Sequence, residues 1–365
     1  DIAGSKGPIS AVRSVEIDTT APNAPGKLDL AAPDDTGRST IDNITNRDAD
    51  LTVTATVASG TTAADITIYE WIDSDGNDRI DQDELAVVSP VILSISGASL
   101  RADLDLADGA HALLLTQKDK AGNESVPEQN NLLTIVVDTA APEAPTDLNF
   151  ADADDTGVSD SDGVTSHIKD LTVSGNAEAF SQVELYRVVN GREVSLGKVI
   201  ATESGAFSLD IALPEGTTDV QARTTDIAGN RSESAAVPLS ITVDTKAPIA
   251  PVLTGLASVD DTGRSDSDRI TKQTSDLTFN GTAEAGSTVE VFKVDAGVLT
   301  SLGNATVTGT SFTIDLSLDE GVQQLVAKST DAAGNISTSS AALKVTIDTT
   351  APTAINSLNL LASDD

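Results

Sequence analysis

Apolar and polar residues alternate along most of the chain with a period of two. In its middle third the runs LTVSGNA from Leu171, VELYRVV from Val183, AFSLDIAL from Ala206, DVQARTT from Asp219 and LSITVD from Leu239 set apolar side chains at every second position. That is the pattern of strands with one buried and one solvated face. Turn signals separate the runs: Asn190-Gly191, Glu203-Ser204-Gly205, Glu215-Gly216 and Gly229-Asn230. No apolar spacing of 3.6 lasts for three helical turns. The pattern predicts an all-β chain whose short strands pack as two facing sheets.

Three strings recur and divide the chain. The first is DTTAP at Asp18, which returns as DTAAP at Asp138, DTKAP at Asp244 and DTTAP at Asp348. The second is DIAG at Asp1, DKAGN at Asp119, DIAGN at Asp226 and DAAGN at Asp331. The third is DDTGRSTIDNIT from Asp34, DDTGVSDSDGVT from Asp154 and DDTGRSDSDRIT from Asp260. The period, about 105 to 120 residues, is that of a small domain and not of a solenoid turn. The strings predict repeats at 21–141, 142–247 and 248–351. Residues 1–20 match the tail of a preceding repeat and 352–365 the head of a following one, as expected of an excerpt from a longer array. About seven strands per repeat is the load of an immunoglobulin-like sandwich. Each junction carries an alanine-proline pair (Ala21-Pro22, Ala141-Pro142, Ala247-Pro248, Ala351-Pro352), with a second proline at Pro25, Pro145 and Pro251 and Ile355 in the fourth such place. Proline fixes φ and holds its predecessor extended. Joints this short and stiff favour tandem sandwiches arranged as an extended rod.

Composition narrows the chemistry. Against 57 acidic residues stand 22 basic ones, for a net charge of −35. Nucleic acid and anionic membrane surfaces both require the opposite sign. Cysteine is absent, so disulfides, thiolate nucleophiles and zinc-thiolate sites are excluded. His111 and His167 are the only histidines. No stretch approaches the roughly 20 apolar residues of a membrane-spanning helix, so direct membrane insertion is not expected. An exported or surface location is favoured.

Strand parity places the acidic strings. With an odd number of strands the chain enters a sandwich at one pole and leaves at the other. DDTG, after the first strand, and the aspartate of DT-x-AP, after the last, then share the exit pole. The D-x-AGN string, before the last strand, faces the entry joint. The second joint is expected to gather Asp34, Asp35, Asp42 and Asp138 with Asp226 and Asn230. The third gathers Asp154, Asp155, Asp162 and Asp244 with Asp331 and Asn335. At the first, Asp18 meets Asp119 and Asn123, while Asp260, Asp261, Asp268 and Asp348 face onward. Two like charges 4 Å apart repel by about 1 kcal/mol in water and about 4 kcal/mol at an effective dielectric of 20. A hard dication removes that penalty, and calcium, which takes roughly six to eight oxygens in irregular geometry, suits such a set. The plain alternative is a solvated acidic face whose Asp and Asn serve turns.

A sharper site lies in the first repeat, which is about 13 residues longer between Asp50 and Asp119 than the second is between Asp170 and Asp226. The excess coincides with DSDGNDRIDQDE, Asp73 to Glu84, which matches the calcium loop of EF-hands. Asp73, Asp75, Asn77 and Asp81 offer side-chain oxygens, the last directly or through water. Glu84 offers a bidentate carboxylate and Arg79 its backbone carbonyl. Asp78 stands at the sixth position, where glycine is usual. The flanks, ITIYEWI and LAVVSPVIL, are strand-like, so the loop is expected to be grafted into a hairpin as a structural site, at the exit pole near the second repeat.

The repeats resemble the bacterial immunoglobulin-like domains of giant repetitive adhesins exported by type I secretion. The resemblance is carried by DDTGRSDSDRITKQTSDLTFNGTAEAGSTVEVF from Asp260, then DAAGN and VTIDTTAP. The first repeat departs, with ATVASGTT in place of GTAEAG. The resemblance implies an extracellular, calcium-stiffened stalk on the bacterial surface. It would carry a distal adhesive region for attachment and biofilm formation, with neighbouring repeats and calcium ions as its partners. Two other readings compete. The repeats themselves could be adhesive, binding glycan, host protein or ice, for which Tyr69 and Trp71 are a candidate aromatic pair. Paired carboxylates also occur in glycoside hydrolases, but here they recur at turn positions in every repeat, and no enzyme is expected.

Overall fold

Each alternating run closes as a strand because its apolar side chains meet those of a facing sheet. The computed structural model describes residues 9–355 together with Ile2, Gly4, Lys6 and Gly7. Of the partial repeats expected at the two ends, Asp1, Ala3, Ser5, Pro8 and 356–365 lie outside the described residues.

The first repeat holds β1 (Asp29–Leu30), β2 (Ile44–Thr45), β3 (Leu51–Thr56), β4 (Ile66–Trp71), β5 (Leu85–Val88), β6 (Ile92–Ser96), β7 (Ser99–Leu104), β8 (Gly109–Gln117) and β9 (Leu133–Val137). The second holds β10 (Thr146–Phe150), β11 (Val164–Thr165), β12 (Leu171–Asn176), β13 (Gln182–Val189), β14 (Arg192–Ile200), β15 (Ala206–Ile211), β16 (Gly216–Thr225) and β17 (Leu239–Val243). The third holds β18 (Val252–Leu256), β19 (Ile270–Thr271), β20 (Leu277–Thr282), β21 (Thr288–Asp295), β22 (Val298–Thr308), β23 (Ser311–Leu316), β24 (Gly321–Thr330) and β25 (Leu343–Ile347). No helix among the described residues is long and apolar enough to cross a membrane.

The second repeat shows the plan, with sheets ordered β10-β12-β15 and β11-β17-β16-β13-β14. The first repeat follows it as β1-β3-β7-β6 and β2-β9-β8-β4-β5. In the third, β22 pairs with β21 in one sheet and β23 in the other, linking both into one eight-stranded array. Its counterpart in the first repeat is split into β5 and β6 around Ser89-Pro90, because proline has no N–H to give to a ladder.

The period of two survives in the burial. Phe312, Ile314 and Leu316 of β23 are buried while Ser311, Thr313 and Asp315 are exposed. Each sandwich has its own core: Leu51, Val53, Leu113 and Ile135 in the first, Val183, Leu185, Val220 and Ile241 in the second, Phe279, Val291, Phe312 and Val345 in the third. Each such side chain contributes roughly 1.5–3 kcal/mol by leaving water.

The repeats carry one or two strands more than the seven expected. The extra element common to all is the two-residue strand at the end of the DDTG string. It runs parallel to the last strand: β2 beside β9, β11 beside β17, β19 beside β25. The backbone amides of Asp138, Asp244 and Asp348 donate to the carbonyls of Thr45, Thr165 and Thr271, each at 2.9 Å. DDTG and DT-x-AP are thereby bonded together at the exit pole of every repeat.

Candidate metal centres and the repeat joints

The D-x-AGN turn builds itself before it meets anything. Asp226 Oδ1 accepts the amides of Gly229 (2.7 Å) and Asn230 (2.9 Å), and Asp226 Oδ2 accepts Asn230 Nδ2 (2.8 Å). Asp331 holds Asn335 in the same way, at 2.8 and 3.0 Å, and Asp119 holds Asn123, at 2.9 and 2.8 Å. The side-chain amide of Asn123 keeps the Asp119 carboxyl below the ordinary range. Once fixed, each asparagine reaches back across the joint. Asn230 Nδ2 donates to the carbonyl of Asp138 and Asn335 Nδ2 to that of Asp244, both at 2.7 Å, and Asn123 Nδ2 to that of Asp18 at 3.1 Å. From the other side Thr36 Oγ1 donates to the carbonyl of Ala228 (2.7 Å) and Thr156 Oγ1 to that of Ala333 (2.6 Å). The DDTG and D-x-AGN strings of consecutive repeats are therefore in contact.

The carboxylates themselves are divided among several tasks. The first aspartate of each DDTG pair turns into its own sandwich, where Asp34, Asp154 and Asp260 accept the amides of Thr52 (3.0 Å), Thr172 (2.9 Å) and Thr278 (3.0 Å). Asp34 is further paired with Arg47. Asp18, Asp138, Asp244 and Asp348 each spend one carboxylate oxygen on the amide two residues on, closing the turn that begins DT-x-AP. The second aspartate of each pair faces the loop. Asp35 accepts the amide of Asn43 (3.1 Å), Asp155 those of Gly163 (2.9 Å) and Val164 (3.2 Å), and Asp261 that of Arg269 (2.7 Å). Asp42, Asp162 and Asp268 accept the amides of Ile44, Val164 and Ile270. Burial, and then the nearby Asp42 carboxylate, raises the Asp35 carboxyl above its ordinary range. Burial does the same at Asp155, with Asp162 adding to it. The Oδ1 atoms of Asp35 and Asp261 are buried and have no hydrogen-bond partner. An ionised oxygen left in that state is costly, a cost that either a proton or a cation beside it would relieve.

One residue at the second joint escapes a reading of the strings. Glu178, in the turn after β12, keeps an exposed side chain, yet partial desolvation and then the negative charges of Asp226 and Asp138 raise it. Its counterpart Glu284 accepts the amide of Ile249 at 3.1 Å. The clue is the Ala-Glu-Ala run at 177–179 and 283–285, whose place in the first repeat holds Val57-Ala58-Ser59.

The inserted loop is a different kind of site. Among the described residues only Asp73, Asp75 and Glu84 bring three carboxylates together, with one oxygen of each within 4.8 Å of the others. Asp73 accepts the amides of Gly76 (2.8 Å), Asn77 (3.2 Å) and Asp78 (3.1 Å), which curls the loop around it. Asn77 Nδ2 donates to Asp75 (2.7 Å) and Asp81 (3.2 Å), and Asn77 Oδ1 accepts the amide of Arg79 (2.7 Å). Asp78 takes the left-handed conformation that glycine usually supplies there, at φ +56°. Glu84 is buried, accepts Trp71 Nε1 at 3.1 Å and the Ser74 amide at 2.8 Å, and is lowered by those bonds in that order. The three grouped ligands, Asp73, Asp75 and Glu84, all offer carboxylate oxygen, which fits a hard dication, whereas Asn77 turns its Nδ2 to Asp75 and Asp81, and Asp81 stands outside the group. The tip of the loop is tied within its own repeat, by Gln129 Nε2 to the Asp78 carbonyl at 2.7 Å. Among the hydrogen bonds of the described residues none joins it to the second repeat, where parity had placed it. The aromatic pair is likewise engaged: Trp71 with Glu84, and Tyr69 through its hydroxyl with Glu124 at 3.2 Å.

Three comparisons bear on kinship. Among curated proteins, none matches the chain. Similar solved structures include a tetra-tandem repeat from the extending region of a large adhesion protein, at 18% identity and a TM-score of 0.27, covering 90% of this chain and 75% of that one. The BSP domain of a biofilm-associated protein follows at 15% and 0.20, covering 92% and 69%. Domains A168–A170 of titin follow at 11% and 0.31, covering 89% and 100%. The bacterial Ig-like domain family matches three times in succession, over 20–139, 141–245 and 248–349, and the chain belongs to that family.

Proposed function

We propose that the chain is a calcium-stiffened stalk segment of a large bacterial surface adhesin, exported by type I secretion, that projects a distal adhesive region for attachment and biofilm formation. The observation that carries this reading is the repetition of one hydrogen-bonded contact at consecutive joints, Thr36 and Asn230 at one and Thr156 and Asn335 at the next. Linkers that only tether domains need no such contact. Calcium, when bound, supplies positive charge among oxygens that otherwise repel. Asp73, Asp75, Asn77, Asp81, Glu84 and the Arg79 carbonyl would hold one ion. Asp35 with Asp42, Asp155 with Asp162 and Asp261 with Asp268 would flank others, beside Asp138, Asp226 and Glu178 at the second joint.

Extracellular modules bind calcium at about 10⁻⁴–10⁻³ M. At an ion level about tenfold above the dissociation constant, one site adds about 1.4 kcal/mol. Removing calcium with a chelator is expected to shorten the maximum dimension in small-angle scattering and to lower the melting temperature. Glu84→Gln is expected to remove one ion from a calorimetric titration. An unchanged scattering profile would sink the stalk mechanism, and an unchanged stoichiometry the loop site.

A further inference from the structure

Each joint brings glycine against glycine. A Cβ added at Gly37 would collide with the carbonyl oxygen of Ile227, and one at Gly157 with that of Ala332. In the opposite direction, a Cβ on Gly229 would lie 3.0 Å from the Gly37 nitrogen and 3.1 Å from its Cα. One on Gly334 would lie 2.9 Å from the Gly157 Cα and 3.0 Å from its nitrogen. Around the glycines the threonine hydroxyl caps an alanine carbonyl of the incoming turn, and that alanine is buried, Ala228 at 2% and Ala333 at 0% exposure.

Among the described residues, one turn and one loop meet no counterpart. Beside Gly122 a Cβ would meet nothing within 4 Å, and the preceding Ala121 is exposed. The turn is otherwise the same, with φ of +91° at Gly122, +101° at Gly229 and +88° at Gly334. On the other half, Gly37 and Gly157 take positive φ, +88° and +103°, whereas Gly263 does not. Thr262 Oγ1 is turned to Thr271 Oγ1, 3.0 Å away in its own repeat. At Gly263, which meets no such turn among the described residues, the threonine-glycine loop has a different backbone.

We propose that the D-x-AGN turn is a preformed plug and the Thr-Gly of DDTG an adaptable socket, that this contact sets how consecutive repeats face before any ion binds, and that Thr262-Gly263 is a socket for a further D-x-AGN turn. The inference goes beyond the calcium reading and stands or falls separately. The plug is rigid in both states because its asparagine and aspartate close it internally. On docking the hydroxyl gains the incoming alanine carbonyl while staying 3.5 Å from Thr45 Oγ1 or 3.1 Å from Ser166 Oγ in its own repeat, and the glycine adopts the left-handed conformation. Any side chain at either glycine forces the two backbones apart.

The absence of cysteine allows a direct test. Spin labels at Ser96→Cys and Ser204→Cys, both exposed, report the distance distribution between the first and second repeats. Gly229→Ala and Gly122→Ala impose the same left-handed strain on the same turn, but only the first meets a socket. Gly229→Ala is expected to broaden the distribution at least twofold over the unsubstituted chain, and Gly122→Ala to leave it unchanged. Thr36→Val, which leaves the plug untouched, should also broaden it. Equal distributions for Gly229→Ala and Gly122→Ala would overturn the proposal. Hydrogen exchange reads the socket itself. The amides of Arg38 and Val158, which point across the joints at 3.4 Å, should exchange more slowly than that of Arg264, and equal rates would count against it. Running both measurements with calcium and with chelator separates the two readings. A wild-type distribution indifferent to chelator defeats ion stiffening, whereas the glycine comparison tests the contact in either condition.

Discussion

At the scale of single residues, the joint is governed by which carboxylates are satisfied and which are crowded. Glu178 is the informative case, since partial desolvation and the charges of Asp226 and Asp138 raise it although its side chain is exposed. A group with a raised folded-state pKa binds protons more tightly in the fold than in the unfolded chain. Its ionisation therefore works against folding, and that penalty grows as pH climbs from the ordinary carboxylate range, about pH 4, through the folded value. In chelator, Glu178→Gln should raise the melting temperature of the second repeat at pH 7. The gain should shrink as pH falls and vanish only below the ordinary carboxylate range, about pH 4, where the carboxyl is protonated in the unfolded chain as well. In calcium the sign should reverse, because the substitution then removes negative charge beside the proposed ion. Thermal melts at several pH values check both arms, and a gain that is independent of pH would show that charge is not its cause.

At the scale of elements, what the sequence made legible was whatever repeats or alternates. The strands follow from alternating runs such as AFSLDIAL, and the meeting of DDTG with D-x-AGN follows from strand order alone. The short parallel strands β2, β11 and β19 were not legible, since two residues give no period. Nor could spacing tell which aspartate of a pair turns inward, because the same Asp-Asp serves as ligand or as amide acceptor. Asp34 and Asp154 are decided by the strand amides of Thr52 and Thr172 beneath them. Glu178 was hidden by its distance in sequence from Asp226. The hairpin loop between β4 and β5 and its turn at the sixth position, where Asp78 adopts φ +56°, were legible in the spacing of DSDGNDRIDQDE. A β-branched residue resists that conformation, with a penalty of about 1–2 kcal/mol. Asp78→Val should weaken calcium binding at this loop by about tenfold, while the melting of the second and third repeats stays as it was. Titration calorimetry measures the affinity, and an unchanged value would mean that the ion does not require the curled loop.

At the scale of the molecule, the three cores are separate while the joints are shared, so stability should behave as a sum of repeat terms and nearest-neighbour terms. Phe279 sits at 0% exposure in the third core, with Phe312 and Val291 around it. Phe279→Ala should destabilise that repeat by about 3–5 kcal/mol. What the second repeat does in response depends on the joint between them, whose hydrogen bonds run from Thr156 to Ala333 and from Asn335 to Asp244. In chelator, crowded carboxylates oppose that joint, so the substituted repeat should melt early and alone, leaving the second where it was. With calcium bound, repulsion is removed and the interface term is larger, so the loss of the third repeat should draw the melting of the second downward, while the first, one joint further away, moves least. Differential scanning calorimetry of the substituted chain in both conditions reads this directly. If the second repeat melts at the same temperature with and without a folded neighbour in calcium, the joint transmits no stability, and a stalk built from such repeats would bend at every junction however many ions it held.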